Sequence, residues 1–316
     1  MFTIIPADNF IWNQKELIKF LAENQQKHIK ISLNAEGPDC QILGLYNLLD
    51  NFNFESVNII TANILEAHNK YKITHSPVLQ WAYVREHIES KYHIWNQNKI
   101  FCAYYGRPLW HRIGLVSYLK TYHDSIAYVN LRGDYNSDNS RKLFELTELF
   151  YNAPEQMNNF ASIANQLPFI IETQDSYSPG EQDTTGFTKQ LLDFYGNILI
   201  DVVAETFTSG KTFFPTEKTF RPMLMKKPFI LMGPINNLIY LRQMGFKTFY
   251  EYWDEDYDGF SPRLKFQKII QLINNISKKS KSELCAMYQD MQHILDHNYN
   301  LLVSKKYIKQ ITLVND

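Results

Sequence analysis

The sequence predicts an α/β protein with parallel strands and a helical C-terminal end. Three observations carry this. Short apolar runs that end in polar, glycine or proline turns recur along most of the 316-residue chain. Stretches with helical periodicity lie between them, and strands separated by helices are the mark of βαβ units and parallel sheets. From residue 262 to 314 the pattern is helical almost throughout, with Ile269, Ile270, Leu272 and Ile273 marking one apolar face.

Taken in order, residues 28–33 read as a strand that ends in the turn 34–39, and helical periodicity follows over 41–50. A second strand covers 56–61 and a third 100–105, the latter followed by Gly106-Arg107-Pro108 and a helix over 110–122. Further strand candidates are 125–130, 168–172, 198–204 and 228–232. The turn Lys278-Lys279-Ser280-Lys281 separates two C-terminal helices. The polar stretch 95–99 is the expected domain boundary, dividing the chain into 1–95 and 99–316.

Bulk properties narrow the class. The formal charge of −1 gives no global attraction to nucleic acid or anionic membrane. Cys40, Cys102 and Cys285 are far apart and form no CxxC pair, so neither a disulfide framework nor a zinc-thiolate site is indicated. The N-terminus lacks the basic start and apolar core of a signal peptide. No run approaches the roughly 18 to 20 apolar residues of a membrane helix. The expectation is a cytoplasmic protein without a transmembrane segment.

The informative stretch is 198–233. Residues 198–204 have the pattern of a buried strand and run straight into Glu205. Ligands of open α/β sheets sit beyond the carboxyl ends of strands, so Glu205 is placed to grip a polar group such as a ribose hydroxyl. Thr216 is suited to cap a helix that begins Glu217-Lys218-Thr219-Phe220. A helix start attracts phosphate through its unpaired N–H groups and dipole. Lys218 and Arg221, three apart, can share the face near that terminus. Pro222 inside the helix frees the carbonyl of Lys218, so a kink or a short first turn is expected. On spacing alone, Glu217, Lys218 and Arg221 equally fit exposed helix residues.

Thr216-Glu217-Lys218, followed by Lys227-Pro228-Phe229-Ile230 and Gly233, resembles the donor-binding motif of α-1,3-fucosyltransferases. It is still more similar to fucosyltransferase-like and exostosin-like proteins of phages, giant viruses and bacteria. Gly245-Phe246-Lys247-Thr248-Phe249 and Asp254-Glu255-Asp256-Tyr257-Asp258 continue the match. Upstream, residues 99–103 with Arg107 and His111-Arg112 look like the first strand and helix of that family's donor domain. The resemblance implies a GT-B type fold, with two Rossmann-like domains facing across a cleft and a nucleotide-diphosphate sugar bound by the C-terminal one. It implies Lys218 on the diphosphate, Glu217 on the ribose or donor sugar, Glu205 where the family has a polar residue, and Arg112 or Arg107 as the second cation. Ala204-Glu205-Thr206 departs from the glutamate-asparagine element of true fucosyltransferases, which puts guanosine-diphosphate-fucose in doubt as donor.

Inverting transfer needs a base and a stabilised leaving diphosphate. In the resembled fold the base comes from the N-terminal domain; Glu36 is the first candidate and Asp39 the second, and either also fits a turn residue bonding its own backbone. The acidic cluster Asp254, Glu255, Asp256 and Asp258 reads as a loop and capping segment beside Ser261-Pro262. The resembled family works without a bound metal, so neither metal nor cofactor is expected. The expected acceptor is a saccharide, another hydroxyl or a modified base in nucleic acid. His87, Lys91, Tyr92, His93 and Trp95 fit an acceptor surface or an ordinary helix end. A non-catalytic nucleotide-sugar-binding or structural protein with the same fold is the competing reading.

Overall fold

The computed structural model describes residues 1–4, 13–33, 37–76, 93–132, 154–170 and 194–307. Two four-stranded sheets occupy successive stretches of the chain, and every strand pair within them is parallel. The protein is thus α/β, with an organisation compatible with two Rossmann-like domains.

The first sheet has the order β1-β2-β3-β4, from β1 (Phe2–Thr3), β2 (His28–Ser32), β3 (Ser56–Thr61) and β4 (Lys72–His75). Alternation along β2 and β3 buries Ile29, Ile31, Val57 and Ile59. These pack with Leu17 and Leu21 of α1 (Gln14–Glu23) and Leu45 and Leu49 of α2 (Leu45–Leu49) in one apolar cluster. The helix expected over 41–50 shrinks to α2 because Gly44 adopts the left-handed region, with φ +71, and ends the preceding turn.

The second sheet has the order β6-β5-β7-β8, from β5 (Lys99–Tyr105), β6 (Ala127–Leu131), β7 (Ile198–Ala204) and β8 (Phe229–Met232). Every residue of β7 and β8 is buried, as a parallel sheet covered on both faces requires. After β5 the chain passes through α3 (Trp110–His123) to β6 on one side, and later places β7 on the other side of β5. The order therefore reverses between β5 and β7, and a crevice opens at such a point outside the carboxyl ends of the strands. Phe169, in the stretch expected as a strand at 168–172, makes only an antiparallel bridge to Leu131.

The remaining α-helices among the described residues are α4 (Pro154–Ala164), α5 (Glu217–Leu224), α6 (Asn237–Gln243), α7 (Pro262–Ser277), α8 (Lys281–Asp290) and α9 (Gln292–Ser304). Ser280 and Glu283 form a capping box at the start of α8, which is why the Lys-Lys-Ser-Lys stretch breaks the helical run there. Ser261 starts α7 without a side-chain cap bond; Pro262 in the first turn serves instead. No described helix is long and apolar enough to cross a membrane.

The two sheets are joined by specific bonds. Asn63, just past β3, accepts from Phe213 N at 2.9 Å and donates to Lys211 O at 2.9 Å. Gly37 lies so close to this junction that a Cβ there would meet Asn63 N at 2.7 Å and Phe214 Cβ at 2.9 Å.

Candidate functional site

The reversal point between β5 and β7 gathers most of the residues singled out by sequence. Glu205 follows β7 directly and is buried. Its Oε1 accepts from Thr216 N at 3.0 Å and Thr219 Oγ1 at 2.5 Å, and its Oε2 accepts from Thr216 Oγ1 at 2.6 Å. The carboxylate thus ties the end of β7 to the first turn of α5, a more internal role than the ribose grip expected of it. Thr216 is the N-cap, its Oγ1 accepting from Lys218 N at 3.2 Å.

Lys218 folds back over this helix start. Its Nζ donates to Thr216 Oγ1 at 3.0 Å and pairs with Glu217 Oε1 at 2.9 Å. Burial works to raise the Glu217 carboxyl; Lys218 and then Arg221 outweigh it and hold that group down at about 2. Glu217 is therefore an anion that neutralises Lys218 while no other anion is near. Arg221 lies one turn on, its guanidinium 5.2 Å from the centre of the Tyr104 ring. Burial opposes its charge, but Tyr195, Glu217 and Asp201 raise its pKa overall. Pro222 does not break α5, which runs from Glu217 to Leu224.

On the other side of the reversal point, His111 and Arg112 occupy the first turn of α3 and are each only 2% exposed. Arg112 donates to Arg107 O at 3.2 Å and Ala204 O at 3.1 Å, bridging the carboxyl ends of β5 and β7. Its Nε has no partner, and it makes no ion pair among the described residues. Burial lowers its pKa to about 10, with Glu205 pulling the other way, so it stays cationic. Arg107 itself is exposed and presents its carbonyl to Arg112. His111 Nε2 lies 2.8 Å from Glu205 O and must donate to it, which leaves Nδ1 as a buried lone pair without a partner. Burial, then Arg112, drives its pKa down to about 3, so the ring is neutral.

Unpartnered buried polar atoms concentrate at this edge. His111 Nδ1 and Arg112 Nε follow β5, Thr212 Oγ1 follows β7, and both amide atoms of Asn237 follow β8. Orphaned polar atoms are costly in a folded interior and call for an explanation such as a ligand or ordered water.

The candidate bases fare differently. Glu36 lies outside the described residues, as do His87, Lys91 and Tyr92. Asp39 is 9% exposed, with Oδ1 accepting from Gln41 N at 2.8 Å and Ile42 N at 3.1 Å, and Oδ2 accepting from Lys211 N at 2.7 Å. It therefore holds its own turn and clamps the 208–216 loop against the first sheet. His93 and Trp95 are buried, and Trp95 donates to Lys99 O at 2.8 Å.

The acidic segment has internal partners. Glu255 accepts from Phe249 N at 2.7 Å and pairs with Arg242 at 3.0 Å. Asp258 accepts from Leu238 N at 2.8 Å and pairs at 3.2 Å with Lys265, which also donates to Gly233 O and Pro234 O. These bonds fix the loop after β8.

Sequence reading missed Asp201 inside the β7 run. It is buried, accepts a short hydrogen bond from Tyr195 OH, and burial raises its pKa from 3.8 to about 6. A lone carboxylate amid apolar residues was the available signal. Asn63 and Glu66 were missed too, because Asn63 bonds Lys211 and Phe213, and Glu66 accepts from Cys40 N at 3.0 Å and Tyr46 OH at 2.5 Å, all far off in sequence.

No protein-family model matches the chain, and no curated protein matches it significantly.

Proposed function

We propose that this chain is a GT-B type glycosyltransferase that moves a sugar from a nucleotide-diphosphate sugar to a hydroxyl acceptor. The observation that carries the reading is the buried guanidinium of Arg112, held by two carbonyls at the reversal point and in no close ion pair among the described residues, with Glu205 and Glu217 acting on it only from longer range. A buried cation without a partner is expensive, and an incoming diphosphate supplies one. Lys218 adds a second cation and the start of α5 the positive end of its dipole, so charge developing on the leaving diphosphate is met by preset positive groups. On diphosphate binding Lys218 exchanges Glu217 for phosphate, which frees Glu217 to accept from a sugar or ribose hydroxyl. Two parallel sheets in succession support the GT-B architecture, and the Thr-Glu-Lys resemblance points to the same chemistry.

Thermal denaturation in the presence of nucleoside diphosphates and their sugars tests this. A ligand at one hundred times its Kd stabilises the folded state by about 2.7 kcal/mol. At least one member of the series is expected to raise the Tm of the native chain, and Lys218→Ala to abolish most of that rise. Stabilisation by none of them overturns the reading. For the base, Glu36→Gln is expected to abolish transfer while the nucleotide-induced Tm shift persists.

A non-catalytic nucleotide-sugar-binding protein is the second reading. It is favoured by Asp39, whose carboxylate accepts from three backbone N–H groups and so holds the turn and the 208–216 loop in place.

A further inference from the structure

The segment 250–256 runs between hollows remote in sequence from the residues of the candidate site. One, of about 330 Å³, lies between this segment and one stripe of α7. That stripe is Lys268, Gln271, Leu272, Asn275, Ile276 and Lys279, at the alternating spacings of three and one that define a helix face. Its centre is apolar and its flanks carry amides and ammonium groups. The opposite wall is Tyr252, Trp253, Asp254 and Asp256. Trp253 is 7% exposed, and its Nε1–H has no acceptor. Gln271 and Asn275 are exposed, and their side chains make no hydrogen bond among the described residues.

This hollow does not end there. It shares Tyr252 and Lys279 with a second, of about 430 Å³, bounded by Glu251 and Asp290. It shares Asp254 and Asp256 with a third, of about 440 Å³, where Tyr250 is 62% exposed. Three adjoining hollows with shared walls suit a chain-like ligand better than a single compact molecule. Tyr250, Tyr252 and Trp253 provide ring surfaces along the groove.

Charge selects the ligand class. Lys268 is already paired with Asp256 at 2.6 Å and Arg242 with Glu255 at 3.0 Å, so Lys279 stands against Glu251, Asp254 and Asp290 along the groove, and a polyanion is repelled. The walls are helix and turn with no strand edge, so they offer no ladder for an extended peptide. Aromatic faces beside carboxylates and free amides match a polyhydroxylated, uncharged ligand that needs both donors and acceptors. We propose that the groove along residues 250–256 binds a neutral oligosaccharide. The site is distinct from the nucleotide crevice and stands whether or not the chain transfers a sugar.

Calorimetric titration of the full chain with neutral hexasaccharides (xylo-, manno-, malto- and chito-oligosaccharides) tests it without any nucleotide. At least one series is expected to bind at millimolar concentration or tighter. The double variant Gln271→Ala/Asn275→Ala, on exposed positions, is expected to weaken that binding about tenfold, the loss of two ordinary hydrogen bonds. Its Tm and its nucleotide response should match the native chain. The proposal is overturned by absence of binding to every series, by unchanged affinity in the double variant, or by anionic glycans or peptides binding more tightly than neutral glycans.

Discussion

Asp201 and Glu205 are buried carboxylates with opposite surroundings. Asp201 has one hydroxyl donor and a raised pKa, so the folded state retains its proton up to about 6 where the unfolded chain releases it near 3.8. Between those values the native state binds more protons, so this contribution is fully present below about 3.8 and is lost as pH rises through about 6. The shift corresponds to about 3 kcal/mol. Asp201→Asn keeps an acceptor for Tyr195 and removes the titration. The stability difference between Asp201→Asn and the native chain, from urea unfolding between about pH 4 and 7, is expected to move in the variant's favour by up to about 3 kcal/mol. His111 has the opposite slope, since its neutral ring is favoured in the fold, and that slope cancels in the difference. A pH-independent difference would show that Asp201 is charged throughout.

At the scale of the element, the start of α5 depends on Glu205 more than on its own residues. Glu205→Ala strands Thr216 N, Thr216 Oγ1 and Thr219 Oγ1 in a buried place. Each orphaned group costs about 1–3 kcal/mol, so a total loss of about 3 kcal/mol or more is expected in chemical denaturation. Lys218→Ala removes the exchangeable pair with Glu217 and the Nζ bond to Thr216 Oγ1 at the same helix start, and leaves the backbone cap in place. It is expected to change stability by about 0.5 kcal/mol or less, while it removes the nucleotide-induced Tm shift. The two variants separate the group that builds the helix terminus from the group that meets the ligand. Equal loss of stability in both would assign Lys218 a structural role.

At the scale of the molecule, the junction between the sheets rests on Asn63, Asp39 and the absence of a side chain at Gly37. Gly37→Ala forces a Cβ against the backbone of Asn63, which cannot swing aside as a side chain tip would. Overpacking of this kind costs about 1–3 kcal/mol. Unfolding of Gly37→Ala is expected at lower denaturant, with the β2–β3 end becoming more susceptible to limited proteolysis. Native-like stability would mean that the junction is slack. Because Asp39 clamps Lys211 on the loop that leads to Thr216, loosening the junction is also expected to weaken nucleotide binding.

The sequence by itself determined the strand over Ile198–Ala204, the Thr216 cap and the helical C-terminal end, each with a local cause. A central parallel strand is a near-continuous apolar run, a cap acts within three residues, and an amphipathic helix repeats every turn. The short strands Phe2–Thr3 and Lys72–His75 escaped it, because neither carries the continuous apolar run that marked 228–232. Only the tertiary structure decided what the polar residues do. Glu205 reaches eleven positions along the chain to Thr216, and Asp39 reaches across to Lys211. Arg112, in the helix after β5, gains its place from Ala204 of β7, a strand that comes beside β5 only when the sheet forms. The partner of a buried charge is chosen by topology, and strand order is a long-range property that no local pattern encodes.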